Sequence, residues 1–232
     1  MAIRDVLRGS RRALRSLLGR DLFYLREVKV PRLWLGKGDA RWCVCPDALG
    51  SESIVYSFGV GEDVSFELAL IQLLKLRVNA FDPTPRSLAW ARDQRLPPAF
   101  VLHPFGLAAW DGTALFSPPS NPAHVSYSML QGGSDALAIR APVHRIKTIT
   151  SMLGHTCIDL LKMDIEGAEY AALPDCLASG LRINQLLVEF HHRWHVIGIG
   201  QTKRALSLLR RSGYRIANVS PSGFEYTFLH YH

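Results

Sequence analysis

Glycines and carboxylates stand directly after short apolar runs in this chain, at places where they could bind a ligand or move a proton. Gly59 and Gly61 follow one run, Asp82 follows the next, and Asp164 follows a later one. Two glycines one residue apart let the backbone approach a ligand that a Cβ would exclude. A carboxylate can accept hydrogen bonds from ribose hydroxyls or take up a proton. These residue types predict a nucleoside-type ligand next to acid–base chemistry.

The spacing after the glycines restricts the class of ligand that this site could bind. The dinucleotide fingerprint needs a third glycine at position 64, and Val64 stands there instead. Asp82 comes 21 positions after Gly61, which fits a carboxylate that binds a ribose. The alternative is that Asp82 opens a turn before Pro83 with a local side-chain cap. The pattern favours a ribose-bearing ligand without a diphosphate.

Histidines follow the last apolar run of this type. Glu189 and His191 fall on one face of the predicted strand by its two-residue alternation, and His192 and His195 come next. We expect His191 to act as a general base near Asp164, because its ordinary pKa lies near neutrality. A surface histidine cluster is the alternative. A divalent cation held by Asp164, Glu189 and His191 is disfavoured, since hard cations prefer oxygen ligands, and we predict no metal site.

The first half of the chain alternates strand and helix patterns. Apolar or β-branched runs predict strands over 53–58, 77–81 and 100–104, and helical spacing predicts helices over 63–76 and 86–95. This βαβαβ order is typical of a doubly wound parallel sheet. Ligands bind such sheets beyond the carboxyl ends of the strands, which is where Gly59, Asp82 and Asp164 stand.

The second half returns to the same alternation after an irregular middle. Asp111-Gly112 between apolar residues predicts a hairpin over 106–116, and 117–135 reads as a long loop. Strands are predicted over 158–163 and 184–190, with helices after the first and over 202–212. Tyr214–Val219 and Glu225–His230 alternate and predict a closing antiparallel pair.

The charge of the chain is concentrated at its start. Of 232 residues, 1–45 hold eleven Lys and Arg against four acids, which equals the whole formal net charge of +7. We divide the chain into this basic lead-in, with an amphipathic helix over 2–20, and one domain over 46–232. A neutral domain gives no strong case for nucleic-acid binding. The helix either packs on the domain or binds an anionic membrane surface.

Other protein classes are disfavoured by composition. No apolar stretch reaches the length of a membrane span, and no apolar run after the N-terminal charges indicates a secretory signal. The four cysteines form no C-x-x-C pair, so we expect no zinc site and reduced thiols in a cytoplasmic protein. A peripheral membrane association through residues 1–20 stays open.

Four blocks of sequence carry a family resemblance. They are YSFGVG at 56–61, FDPTP at 81–85, LLKMDIEGAEY at 160–170 and VEFH at 188–191. With them, the chain from about Trp42 onward resembles FkbM-type methyltransferases, in the branch with YSFG, FDP and DIEGAE motifs. The resemblance implies an α/β, Rossmann-like class I methyltransferase fold. Its sheet is doubly wound, mostly parallel and seven-stranded, with an antiparallel closing strand.

The resemblance also implies a cofactor and roles for single residues. S-adenosylmethionine (SAM) would be bound, and a hydroxyl oxygen of a small molecule or glycan would be methylated. Gly59 and Gly61, with Ser57 and Phe58 before them, would face the methionine part. Asp82 would hold the ribose, and Phe105 and Gly106 would flank the adenine. Asp164 would lie beside the sulfonium and the acceptor.

One departure from the family pattern concerns the acid that many methyltransferases carry two residues before the first glycine. Ser57 occupies that position, so the amino group of SAM would bind Asp164 or backbone carbonyls instead. Glu166 is either a site residue or a carboxylate favoured by a helix dipole, and Glu169 is expected to be structural. Two other functions stay open: a nicotinamide-dependent oxidoreductase, and a non-catalytic protein of this fold tethered by its basic N-terminus.

Overall fold

A seven-stranded sheet with helices on both faces organises the chain. The computed structural model describes residues 12–19, 21–118, 127–128 and 138–231, apart from the side chain of Asp39. The strands in chain order are β1 (Leu33–Leu35), β2 (Trp42–Val44), β3 (Val55–Phe58), β4 (Val78–Phe81), β5 (Phe100–His103), β6 (Gly106–Leu107), β7 (Gly112–Phe116), β8 (Ile139–His144), β9 (Cys157–Met163), β10 (Arg182–Glu189), β11 (Tyr214–Val219) and β12 (Glu225–His230). The helices are α1 (Ser65–Leu74), α2 (Pro85–Asp93), α3 (Ile146–Leu153), α4 (Glu169–Ala178) and α5 (Gly198–Arg211).

The strand order of the large sheet is β11-β12-β10-β9-β3-β4-β5. Neighbours from β10 to β5 run parallel, and β12 pairs antiparallel with both β10 and β11. The predicted seven-stranded, mostly parallel sheet with an antiparallel closing strand is therefore confirmed. Phe58 is in register with both Phe81 and Met163, so the ends of β3, β4 and β9 meet at one edge.

Strand alternation divides the apolar core into two layers. In β3, Val55 packs with Phe66 and Leu70 of α1, while Tyr56 points to the other face. That other face is covered by α3, α4 and α5, through residues such as Leu206. Both faces of the central strands are buried, which is why these strands read as continuous apolar runs.

The predicted hairpin at 106–116 is wrong. The strands β6 and β7 do not pair with each other; each pairs with β8 in a separate three-stranded sheet, parallel for β6 and antiparallel for β7. The carboxylate of Asp111 accepts hydrogen bonds from the Arg145 amide and the Thr148 hydroxyl. Asp111 therefore binds the N-terminal end of α3 and does not form the predicted hairpin turn.

The described part of the basic lead-in packs along the antiparallel edge of the sheet. Residues 12–17 are helical, and Arg12 donates to the Ser220 carbonyl at 2.6 Å. Further along, the Glu27 amide donates to the Ile216 carbonyl, and the Glu27 carboxylate accepts from the Ile216 amide. Edge strand β11 thus has its backbone groups partly satisfied by this segment. The rest of the predicted helix over 2–20 lies outside the described residues.

Two further expectations touch the undescribed parts. Most of the predicted loop at 117–135 lies outside the described residues, although Ser117 and Ser128 form an antiparallel bridge. Within the described ranges, no helix is both long and apolar enough to cross a bilayer.

Candidate functional site

A cavity of about 820 Å³ opens at the carboxyl ends of β3, β4, β9 and β10. Most of the residues that the sequence places in the site line it: Phe58, Gly59, Gly61, Asp82, Gly106, Asp164 and Glu189. The parallel register brings these positions together although they are distant in the chain. The expected convergence of strand ends is therefore present.

The backbone of the turn after β3 packs closely against the backbone at the end of β9. Gly59 has a φ of +75°, and a Cβ at this residue would stand 1.6 Å from the carbonyl oxygen of Asp164. Its amide donates to the Phe81 carbonyl at 3.0 Å, which ties the turn to β4 as well. Any side chain at position 59 would push β3 and β9 apart. Glycine is required here by close backbone approach.

Asp82 is buried, and both of its carboxylate oxygens accept hydrogen bonds from neighbouring residues. One of its oxygens accepts from the Gly61 amide at 3.0 Å, and the other accepts from the amide and hydroxyl of Thr84 at 2.9 and 2.6 Å. The local cap weighed against ribose binding is thus present. The oxygen that accepts from Gly61 keeps a second lone pair, and Asp82 also lines the cavity. The two roles are compatible.

Asp164 and Glu189 form a carboxyl pair at the ends of β9 and β10. Burial, and then the charge of Asp164, raise the pKa of Glu189 well above its ordinary value. The protonated form of Glu189 is thereby favoured, and its side chain lies within hydrogen-bonding reach of Asp164. Two adjacent carboxyls resist full ionisation. This pair can stabilise a nearby positive charge and exchange a proton.

Two further carboxylates, those of Glu166 and Glu169, flank the imidazole of His191. Its Nε2 lies 3.2 Å from Glu166 Oε2, and its Nδ1 lies 3.3 Å from Glu169 Oε1. Burial alone would lower the pKa of His191, but the charge of Glu169 and hydrogen bonds to Glu166 and Glu169 raise it well above its ordinary value. The protonated imidazole is therefore favoured, and it lies between the carboxylates of Glu166 and Glu169.

Glu166 aims its carboxylate at this group from an unusual backbone position. Its φ is +52°, in the left-handed region that residues other than glycine rarely adopt. Asp164, Glu166 and His191 bring one possible metal-ligand atom each to within 4.8 Å of one another. This donor set could hold a divalent cation. The absence of a metal site stays a prediction.

Three expected site residues stand behind the cavity wall rather than on it. Ser57 is fully buried and donates to Glu67, and Phe105 packs against the Phe81 ring at a centroid distance of 5.5 Å. His191 is buried beside Trp194 and reaches the cavity through Glu166. Strand β10 ends at Glu189, so strand alternation does not extend to His191. The roles given to these three residues stay predictions.

His192 and His195, the two histidines that follow His191, lie in different environments. His192 is buried and its Nε2 lies 2.9 Å from Asp21, while His195 is exposed. Arg193 donates two hydrogen bonds to the same Asp21 carboxylate. A surface histidine cluster is therefore wrong for His191 and His192.

Two buried charges line the cavity that the sequence analysis did not select. Glu67 of α1 accepts a 2.6 Å hydrogen bond from Ser57, and Lys162 of β9 donates to the Gly59 carbonyl at 3.0 Å. Both side chains are almost fully buried. A signal existed for each: Lys162 interrupts the apolar run of β9, and Glu67 stands three positions before Leu70 on the apolar face of its helix.

Comparison with known families identifies the domain. The profile described as "Methyltransferase FkbM domain" matches residues 42–216, well over half of the chain. It spans every cavity residue of β3, β4, β9 and β10 described above. None of the curated protein sequences matches the chain.

Solved structures with similarity to the chain include two SAM complexes. The fibrillarin of Aeropyrum pernix in complex with natively bound S-adenosyl-L-methionine has 12% identity and a TM-score of 0.41, covering 95% of this chain and 75% of that one. TYW2 of M. jannaschii in complex with AdoMet has 9% identity and a TM-score of 0.34, covering 91% of this chain and 90% of that one.

Proposed function

The chain belongs to the FkbM methyltransferase domain family and is a SAM-dependent methyltransferase, and we propose that it methylates a hydroxyl oxygen. The observation that supports this most is the Asp164–Glu189 pair in the same cavity as the glycine turn and Asp82. A hydroxyl nucleophile must lose its proton during methyl transfer. The pair offers a carboxylate for that proton at the centre of the site.

The binding end of the proposed site is the edge formed by β3 and β4. In this proposal Phe58, Gly59 and Gly61 receive the methionine part of SAM, and Ser57 supports the turn from behind the cavity wall. Asp82 accepts a hydrogen bond from the ribose at the oxygen that Gly61 contacts, because Thr84 already donates twice to the other oxygen. The fit is supported by the turn after β3, where Gly59 and Gly61 line the cavity without side chains of their own.

The adenine end of the proposed site lies where the chain leaves β5. Gly106 lines the cavity, and Phe105 supports it from behind by packing on Phe81. A Cβ at Gly106 would come within 3.3 Å of the Pro83 side chain. We assign the adenine to this narrow part of the cavity.

The reacting end is the edge formed by β9 and β10. Bound SAM supplies an electrophilic methyl group carried by a positively charged sulfur. Asp164 stabilises that charge and orients the acceptor hydroxyl, and its carboxylate takes the hydroxyl proton as the new oxygen–carbon bond forms. Glu189 hydrogen-bonds Asp164 and shares the proton. In this proposal His191 acts on the pair through its contact with Glu166, whose carboxylate it orients.

The chemical nature of the product tests the proposal. The protein would be incubated with SAM labelled in its methyl group and a panel of sugars, phenols and aliphatic alcohols, and labelled products would be treated with alkali. A methyl ether survives that treatment, whereas a methyl ester releases methanol. Label in an alkali-stable ether supports hydroxyl methylation. Label only in esters or amines contradicts it, and no transfer to any acceptor favours a non-catalytic protein.

We also propose where the protein is located and what its basic lead-in contacts. We place the protein in the cytoplasm, supported by four free cysteines, and propose a peripheral contact of residues 1–20 with anionic lipid. Arg12 and Asp21 pack on the domain, so any membrane contact would use the remaining basic residues. Cosedimentation with phosphatidylserine vesicles that fades as salt rises supports the contact. Failure to cosediment at low salt contradicts it.

A further inference from the structure

A buried acid–base pair, Glu67 and Lys162, lines the cavity next to the Gly59 turn. The two side chains come from different elements, α1 and β9, and Lys162 Nζ lies 3.9 Å from Glu67 Oε1. Ser57 and Lys162 are opposite one another in the register of β3 and β9. Alternation therefore directs both toward the face that α1 covers, where Glu67 completes the group.

The Glu67 carboxylate is only half satisfied by the protein. Its Oε1 accepts from Ser57, but its buried Oε2 has no hydrogen-bond partner among the described residues. An unsatisfied buried carboxylate oxygen is costly. Burial raises the pKa of Glu67, while Lys162 and Ser57 act in the opposite direction. A cationic donor arriving in the cavity would satisfy this oxygen.

Lys162 has donors to spare in the same place. Its ammonium carries three protons, and its hydrogen bond within the described residues goes to the Gly59 carbonyl at 3.0 Å. Glu67 and Asp164 each lie 3.9 Å away, beyond hydrogen-bond distance. The Trp42 ring lies 5.3 Å from Nζ and shields that side. The remaining donors can reach an anionic group at the turn.

We propose that Glu67 and Lys162 form the subsite for the zwitterionic amino-acid end of SAM, with Glu67 binding the α-ammonium and Lys162 binding the α-carboxylate. This rests on the use of SAM, as the proposed function does. It replaces the expectation that Asp164 or backbone carbonyls bind the ammonium. Ser57 stands where an acid is expected in the family pattern, and Glu67 supplies that acid from the neighbouring helix through its hydrogen bond with Ser57.

The test compares ligands that differ only in the amino-acid end. S-adenosylhomocysteine carries both charged groups, and 5′-methylthioadenosine keeps the nucleoside and the sulfur but lacks them. Calorimetry on the full chain would measure both ligands with the wild type, with Glu67→Gln, and with Glu52→Gln as a control that removes an exposed acid. We expect Glu67→Gln to weaken S-adenosylhomocysteine roughly 10- to 150-fold, and to leave 5′-methylthioadenosine within about twofold. Glu52→Gln should change neither.

A second comparison isolates Lys162. Removing the carboxylate from S-adenosylhomocysteine should weaken binding to the wild type by a similar factor, but should cost almost nothing in Lys162→Met. Glutamine keeps an acceptor for Ser57 and is uncharged, so Glu67→Gln is expected to fold, and its melting temperature checks this. If Glu67→Gln misfolds, the decarboxylated ligand on the wild type decides: no loss of affinity overturns the subsite.

The outcomes separate this inference from the proposed function. Equal losses for both ligands in Glu67→Gln would make Glu67 a structural residue and overturn the subsite, while hydroxyl methylation stands. A wild type that binds neither SAM nor S-adenosylhomocysteine would overturn both. Selective loss for S-adenosylhomocysteine with an intact fold supports the subsite whatever the acceptor is.

Discussion

Asp82 and Asp164 each follow a parallel strand of the same sheet, yet the chain holds them in opposite ways. Asp82 is buried, and both its oxygens accept hydrogen bonds from Gly61 and Thr84. Asp164 is partly exposed, has Lys162 at 3.9 Å, and faces Glu189, whose pKa is raised by burial and by the charge of Asp164. One carboxylate is fixed by donors, and the other is crowded by another acid.

The difference separates binding from reaction. A carboxylate held by fixed donors is oriented before a ligand arrives, so less entropy is lost when the ligand binds. A carboxylate beside a second carboxyl can exchange its proton readily, because the pair resists double ionisation. We therefore expect changes at Asp82 to alter affinity and changes at Asp164 to alter turnover.

Asp164→Asn should have the largest effect. Loss of the proton acceptor should reduce kcat by about 10²- to 10⁴-fold, since asparagine cannot take the hydroxyl proton. S-adenosylhomocysteine lacks the sulfonium charge, so its affinity should stay within about twofold of the wild type. Single-turnover kinetics and calorimetry measure the two quantities. Asp93→Asn, an exposed acid, is the control; wild-type turnover in Asp164→Asn would remove Asp164 from the reaction.

Asp82→Asn should mainly reduce the affinity for SAM. The amide group of asparagine cannot accept from both Gly61 and Thr84 and also accept from a ribose hydroxyl, so SAM should bind roughly 10- to 150-fold more weakly. kcat at saturating SAM should change little. Asp47→Asn, exposed and distant, provides the matched control. Unchanged SAM affinity would leave Asp82 with only its local cap.

His191→Gln tests the group behind Asp164 through its pH dependence. The folded-state pKa of His191 is raised, so its charge stabilises the fold fully below the unfolded-state value of about 6.5. That contribution is lost as pH rises through the folded-state pKa. The wild type should therefore exceed His191→Gln in stability most near pH 6, and the difference should shrink toward pH 9. The acidic groups that face the imidazole are Glu166, Glu169 and Glu189.

Urea unfolding at several pH values measures that difference in stability. His195→Gln, an exposed histidine in the same segment, should show no such trend. A stability difference that grows with pH would contradict the cationic state of His191.

A chelator should have the smallest effect. Because no metal site is predicted, EDTA should leave the rate of methyl transfer unchanged when the protein is then assayed with and without magnesium. Loss of activity that magnesium restores would contradict this. It would assign Asp164, Glu166 and His191 as ligands, since these donor atoms lie within 4.8 Å of one another.

Sequence reasoning predicted the parallel half of the fold because its signals are local. Apolar runs that end in glycine or an acid mark the strands, and their order determines which ends meet. The hairpin at 106–116 failed because Asp111 bonds with Arg145 and Thr148, a long-range partnership that no local turn signal contains. The separate sheet of β6, β7 and β8 was missed for the same reason.

The parts of the candidate site that depend on backbone position could be predicted from the sequence. The parts that depend on contacts between side chains of different elements were harder to predict. The turn at Gly59 and the strand-end acids follow from strand position alone. Glu67 was missed because a charged residue on an apolar helix face gains meaning only when Ser57 and Lys162 are seen beside it. His191 was expected on the cavity face, but β10 ends two residues earlier and the chain turns inward.

The contacts of the basic lead-in have a consequence for the order of assembly. Arg12 meets Ser220, Asp21 meets His192, and Glu27 pairs with Ile216, so segments far apart in the chain close against each other. Residues that leave the ribosome early must wait for β11 and the turn before β12 to be synthesised. Such long-range closure raises contact order and slows folding. The nascent chain consequently carries an undocked cationic segment until β11 and the turn after it have been synthesised.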